Sequence, residues 1–155
     1  MAKRLALLLM ILIAASAAHP SKAQGVFAGR WTVVGEQPAP WLKGDKTLKA
    51  LPEAALAKAT IVFRADAVEA PSPLGCRGTH HKIENVPPEG LFEGGLDDPD
   101  RGMTDAKGAA AALGFKSDSI PTLESGCAEM NYHMVDPDTL LFALDNVIYT
   151  LKRAR

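Results

Sequence analysis

The sequence predicts a mainly β, antiparallel domain carrying one short α-helix. Three observations predict it. With 13 glycines and 11 prolines in 155 residues, the chain is cut into many short elements joined by turns. Several segments alternate apolar and polar residues, the period of a half-buried strand. The C-terminal stretch "LLFALDNVIYTLKR" reads as two β-prone runs joined by Asp145 and Asn146, residues that accept the positive φ of a tight hairpin turn.

Taken in order, Arg30–Gly35 is a first strand built from the β-formers Trp31, Thr32, Val33 and Val34. "GEQPAPWLKGDK" is a loop with Trp41 as its apolar anchor, and "LPEAALAKA" is a short helix opening at Pro52, a position where proline is tolerated. "TIVFRADAVEA" alternates, with Ile61 and Phe63 on one face and Val62 and Arg64 on the other. "PSPLGCRG" is a turn-rich link, and Thr79–Val86 is a strand. "PPEGLFEGGLDDPDRG" follows, a long irregular loop rich in proline, glycine and acid. Its Leu91, Phe92 and Leu96 predict that part of it docks, and loops of this length are commonly functional. A helix at about 104–114 precedes the last strands: Thr104 caps it, Asp105 complements its dipole, Gly114 ends it, and its alanines let it lie close to another surface. The C-terminus, Ala128–Lys152, is a three-strand meander. Met130, Tyr132 and Met134 share one face of its first strand, Asn131 and His133 the other, and Leu140, Phe142 and Leu144 share a face of the second. Six or seven strands can be counted.

The first residues read as a leader. Lys3 and Arg4 precede an uncharged apolar run of about 14 residues, Leu5–Ala18, and Ser21 and Ala23 stand at the −3 and −1 positions of a small-residue cleavage site. The run falls short of the roughly 20 residues of a membrane span. The expected organisation is a signal peptide over 1–23, cleaved after Ala23 with Ala17 as the alternative, and a single domain over 24–155, periplasmic or secreted. That domain holds 14 basic and 18 acidic residues, a net charge of −4, which does not favour nucleic acid or anionic membranes. No second apolar run approaches membrane-spanning length. Cys76 and Cys127 are the two cysteines, and an oxidising compartment predicts a disulfide between them; two separate buried thiols are the alternative.

At "FAGRW" the chain resembles the opening of the calycin superfamily of lipocalin-like barrels, in which Gly-x-Trp enters the first strand. The resemblance implies a small antiparallel, calycin-like β-barrel. Trp31 would plug one closed end, and Lys152 or Arg153 on the last strand would cover its indole. A META-like periplasmic β domain is similar in the same opening and in the Gly75-Cys76 pair.

Few residues offer chemistry. His80 and His81 are adjacent and so face opposite ways in a strand. With His133 they are weak metal candidates, because zinc or copper needs three or four convergent ligands. Cys76 stands four residues from His80, but a disulfide removes it as a nucleophile. "LESGC" is a turn rather than a nucleophile elbow, and "DDPDRGMTD" lacks the spacing of an EF-hand loop. With no acid, base and nucleophile set visible, no enzyme and no cofactor is predicted.

Three functions follow. The first is an exported binding protein holding a small apolar or amphipathic ligand inside the barrel. Phe63, Met130, Tyr132, Met134 and Phe142 would face the ligand, and Leu91 and Phe92 would form a lid over the open end. The second is an interaction module, such as an inhibitor of a lysozyme or protease, acting through the Pro/Gly-rich loop 86–102 on a periplasmic or secreted enzyme. The third is a structural or envelope-stress domain without a ligand.

Overall fold

The computed structural model describes residues 22–155. The leader expected over 1–23 lies outside the described residues except for its last two, which open a short helix, α1 (Lys22–Phe27). Nine strands follow: β1 (Gly29–Pro38), β2 (Thr60–Phe63), β3 (Ala67–Glu69), β4 (Cys76–Arg77), β5 (Lys82–Val86), β6 (Ile120–Glu124), β7 (Asn131–Asp136), β8 (Thr139–Leu144) and β9 (Val147–Arg153). The second helix, α2 (Ala106–Ala112), stands before β6. Its Asp105 carboxylate accepts from the Gly108 N–H at 2.8 Å, so Asp105 rather than Thr104 is the cap.

All nine strands form one antiparallel sheet in the order β4-β3-β2-β1-β9-β8-β7-β6-β5. The two edge strands are successive in the chain, separated only by residues 78–81. A link of that length spans at most about 18 Å, so the sheet must curl until its edges approach. The result is a barrel-like half-cylinder. The Cys76–Cys127 disulfide forms and joins β4 to the β6–β7 turn. Beside it, the Thr79 hydroxyl donates to the Ser125 carbonyl at 2.8 Å. The His81 ring lies between the carbonyls of Ser125 and Arg64, 2.9 Å from each. The seam is thus closed by side chains rather than by a ninth ladder.

The C-terminal meander is as predicted, with Phe142 opposite Tyr149 and Leu140 opposite Leu151. Other elements are corrected. The first strand runs on to Pro38, past a bulge at Val34 that leaves this side chain exposed. The helix expected at Pro52 is a single 3₁₀ turn, Ala54–Leu56. The single segment read at "TIVFRADAVEA" is a hairpin, β2 and β3. The strand expected from Thr79 begins at Lys82, because Thr79 and His81 are spent on the seam.

The curled sheet has a core on each side. Its concave side buries Trp31, Ile61, Phe63, Leu123, Tyr132, Phe142 and Tyr149. Its convex side buries Ile120, Leu141 and Ile148 beneath Trp41, Leu91, Phe92, Leu96, Ala110 and Phe115. The second core exists because "LLFAL" is apolar at every position: Leu140 and Phe142 point inward and Leu141 outward, and both faces need cover.

Candidate functional site

At one end of the concave core, Trp31 is fully buried and its indole N–H donates to the Phe27 carbonyl at 2.8 Å. Trp31 pairs with Arg153 across the β1–β9 ladder, and the guanidinium carbon stands 4.1 Å from the ring centroid. The same guanidinium donates to the carbonyls of Ala28 at 3.1 Å, Val26 at 2.6 Å and Pro137 at 3.0 Å. Of the two cations expected over the indole, it is Arg153 that takes the place. Lys152, one position earlier, points to the other face and donates to the Thr139 hydroxyl.

The predicted inward set comes together only in part. Phe63 meets Tyr132 edge-on with centroids 4.7 Å apart, Tyr132 meets Phe142 at 5.2 Å, and Phe142 stacks on Tyr149 at 4.9 Å. These rings occupy the interior themselves. The space beside Phe27, Phe63, His81 and Leu123 is about 50 Å³, against roughly 300–1,000 Å³ for small-molecule sites. Met130 and Met134 are half-buried at the margin of this core. The Tyr132 hydroxyl is buried with no hydrogen-bond partner among the described residues, and burial pushes its pKa up.

Leu91 and Phe92 lie on the opposite side of the sheet, a correction to the lid expected over the open end of the barrel. They pack in the convex core, where Phe92 faces Trp41 at 6.1 Å, Phe115 at 6.4 Å and His133 at 4.7 Å between centroids. The physical reason is the apolar outer row of the meander, which draws the loop's apolar residues out of water at about 1.5–3 kcal/mol each.

His133 is the polar pin of this packing. The Phe92 N–H donates to His133 Nε2 at 3.0 Å, so that nitrogen carries the lone pair and the proton sits on Nδ1. Nδ1 lies 2.9 Å from the Thr122 hydroxyl, which donates in turn to the Ile120 carbonyl at 3.2 Å. The relay from Phe92 through His133 and Thr122 to Ile120 is satisfied with a neutral ring, and burial lowers the His133 pKa to about 3. His80 is exposed, His81 belongs to the seam, and His133 is on the convex side. The three candidate ligands therefore do not converge, and no cluster of three metal-binding side chains occurs among the described residues.

The pinned loop borders a groove of about 420 Å³. Trp41 and Phe92 line it together with Glu93, Asp98 and Arg101 of the loop and Asp145 and Asn146 of the β8–β9 turn. Phe92 and Glu93 hold left-handed backbone angles, φ 52° and 59°. Gly95 is required by close approach, since a β-carbon there would stand 2.9 Å from the Trp41 ring. The Trp41 indole donates to Asn146 Oδ1 at 2.9 Å, and Asn146 Nδ2 donates to the Lys49 carbonyl at 3.2 Å. Asp98 and Arg101 pair at 3.2 Å. Sequence reasoning marked Trp41 only as a loop anchor and missed its place in this groove. The unbroken apolar run at 140–144 was the legible signal that a second core would recruit it. No family model, curated protein or solved structure matches the chain.

Proposed function

We propose that this protein is an exported interaction module that binds a basic protein partner through its pre-ordered acidic loop. One observation carries the reading. The loop over 87–102 is nailed to the sheet by Leu91, Phe92 and Leu96, yet presents Glu89, Glu93, Asp97 and Asp100 to solvent. A surface already fixed in one shape loses little conformational entropy on binding. Its carboxylates steer a cationic partner toward it, an attraction that salt screens. The groove lined by Glu93 and Asp145 offers carboxylates beside aromatic rings, a setting suited to a lysine or arginine side chain. Export is supported by the leader-like N-terminus and by the disulfide. A fixed loop that presents carboxylates on its outer side suits an inhibitor-like role toward a basic enzyme.

The test uses lysozyme as the cationic probe enzyme, with binding measured by calorimetry and inhibition by turnover. Binding is expected at low ionic strength and weakens as salt rises. Replacing Glu93, Asp97 and Asp100 together by glutamine weakens it at least tenfold while leaving thermal unfolding unchanged. Absence of binding to lysozyme and to other basic secreted enzymes, or binding indifferent to the triple replacement, overturns the reading.

A further inference from the structure

On the far side of Arg101 from the acidic groove lies a second one, of about 520 Å³, between the end of β1 and α2. Its volume is within the roughly 300–1,000 Å³ of small-molecule sites. Its apolar lining comes from Pro38, Pro40, Met103, Ala109, Ala112 and Leu113. The prolines bring no backbone N–H that would need a partner, and the small alanines of α2 leave the trough open. Met103, Ala109 and Leu113 also pack against the convex core from their inner sides, so this wall is backed by fixed structure.

Its polar side chains are Gln37, Lys43 and Arg101. Gly44 lies so close to the Arg101 carbonyl that a β-carbon there would be 1.9 Å from the oxygen. This backbone contact holds the 3₁₀ turn Pro40–Lys43 against the turn Pro99–Arg101 and so brings Lys43 and Arg101 to the same end. Among the described residues they are the only charged side chains lining the groove. Asp98 pairs with Arg101 at 3.2 Å from the side of the acidic groove, and Asp45, which accepts from the N–H and hydroxyl of Thr47 at 2.8 and 2.6 Å, also stands within reach of the Arg101 charge, so Arg101 is already compensated. Lys43 makes no ion pair among the described residues.

We infer that this groove binds a small amphipathic anion, its apolar tail along α2 and its head at Lys43. Burial of the tail supplies the affinity, and the Lys43 ammonium, unpaired among the described residues, selects an anionic head over a neutral or cationic one. The site shares Arg101 with the acidic groove, and its ligand is a small molecule rather than a protein.

The test is titration of the disulfide-intact protein, carrying 13C-methyl methionine, with decanoate, decanol and decyltrimethylammonium below their micellar concentrations. Decanoate is expected to shift the Met103 methyl while leaving Met134 in place, and to bind at least tenfold more tightly than the other two. Lys43→Glu weakens decanoate about tenfold without moving the thermal transition. Ala112→Trp, an exposed change that fills the trough, abolishes the Met103 shift. Equal affinity for the three probes, a shift confined to Met130 or Met134, or no Met103 shift at millimolar decanoate would overturn the inference.

Discussion

Arg153 covers the ring of Trp31 at 4.1 Å while its guanidinium closes the carbonyls of Val26, Ala28 and Pro137. One side chain thus seals the barrel end, anchors the segment entering β1 and ties it to the β7–β8 turn. Arg153→Ala removes a cation–π contact of about 0.5–2 kcal/mol and the charge-assisted hydrogen bonds that tie Val26, Ala28 and Pro137 together, whose exposed carbonyls then turn to water. The expected loss is about 2–3 kcal/mol, read by urea denaturation. Arg153→Lys keeps the charge but not the planar fork, and recovers less than half of it. A loss under about 0.5 kcal/mol for the alanine variant would show that the seal is incidental.

His133 makes stability depend on acid. Its folded pKa, about 3, lies below its ordinary value of 6.5 because burial disfavours the charged ring. The unfolded chain therefore binds more protons over that interval, and stability rises with pH across it. The contribution is present in full above about 6.5 and is lost as pH falls toward 3, with a limiting slope of about 1.4 kcal/mol per pH unit. His133→Gln is expected to be less stable at pH 7, through the lost Phe92 contact, and to show a shallower decline between pH 6 and 4. Parallel curves for the two proteins would rule this out.

The Cys76–Cys127 bond closes a loop with a sequence separation of 51 and spans the seam of the curled sheet. On the chain-entropy account its removal costs about 4 kcal/mol. The paired change Cys76→Ser and Cys127→Ser should lower the thermal midpoint by well over 5 °C and expose the β4 and β5 edges to amide exchange first. Uniform exchange over all nine strands would contradict the assignment of the bond to the seam.

Tyr132 places a hydroxyl among Phe63, Phe142 and their neighbours with no partner among the described residues. Tyr132→Phe removes that group and keeps the ring contacts. A buried polar group without a partner carries a desolvation penalty of about 1–3 kcal/mol, so the variant is expected to gain about 1 kcal/mol. A destabilised variant would mean that the hydroxyl is bonded in solution.

The elements that were legible are those whose signal is local. The 140–152 hairpin carries its own turn residues and its own alternation. The helix before β6 carries its start and stop signals within one residue of where they act, Asp105 taking the capping role read for Thr104, and Trp31 stands at the start of a run of β-formers. The strands that escaped notice are short or interrupted. β3 and β4 have three and two residues, too few for periodicity to register. β6 contains Pro121, which argues against a strand. It is accommodated because β7 pairs only with Thr122–Glu124, leaving the proline where no second ladder needs its N–H.

By itself, the sequence determined an antiparallel β domain and the docking of Leu91 and Phe92, which follow from side-chain chemistry and spacing along the chain. It favoured the pairing of its two cysteines, while the burial of Trp31 beneath a cation was what the resemblance at "FAGRW" implied. Only the tertiary structure decided which side of the sheet the loop would dock on, and that the interior would fill with its own aromatic rings. Only the tertiary structure put His133 under Phe92 and Lys43 beside Arg101. The filled interior depends on how far the sheet curls, which is set by the short link between edge strands at opposite ends of the strand order. The other outcomes depend on contacts between segments far apart in the chain: the outer row of the meander under the loop and Gly44 against the Arg101 carbonyl.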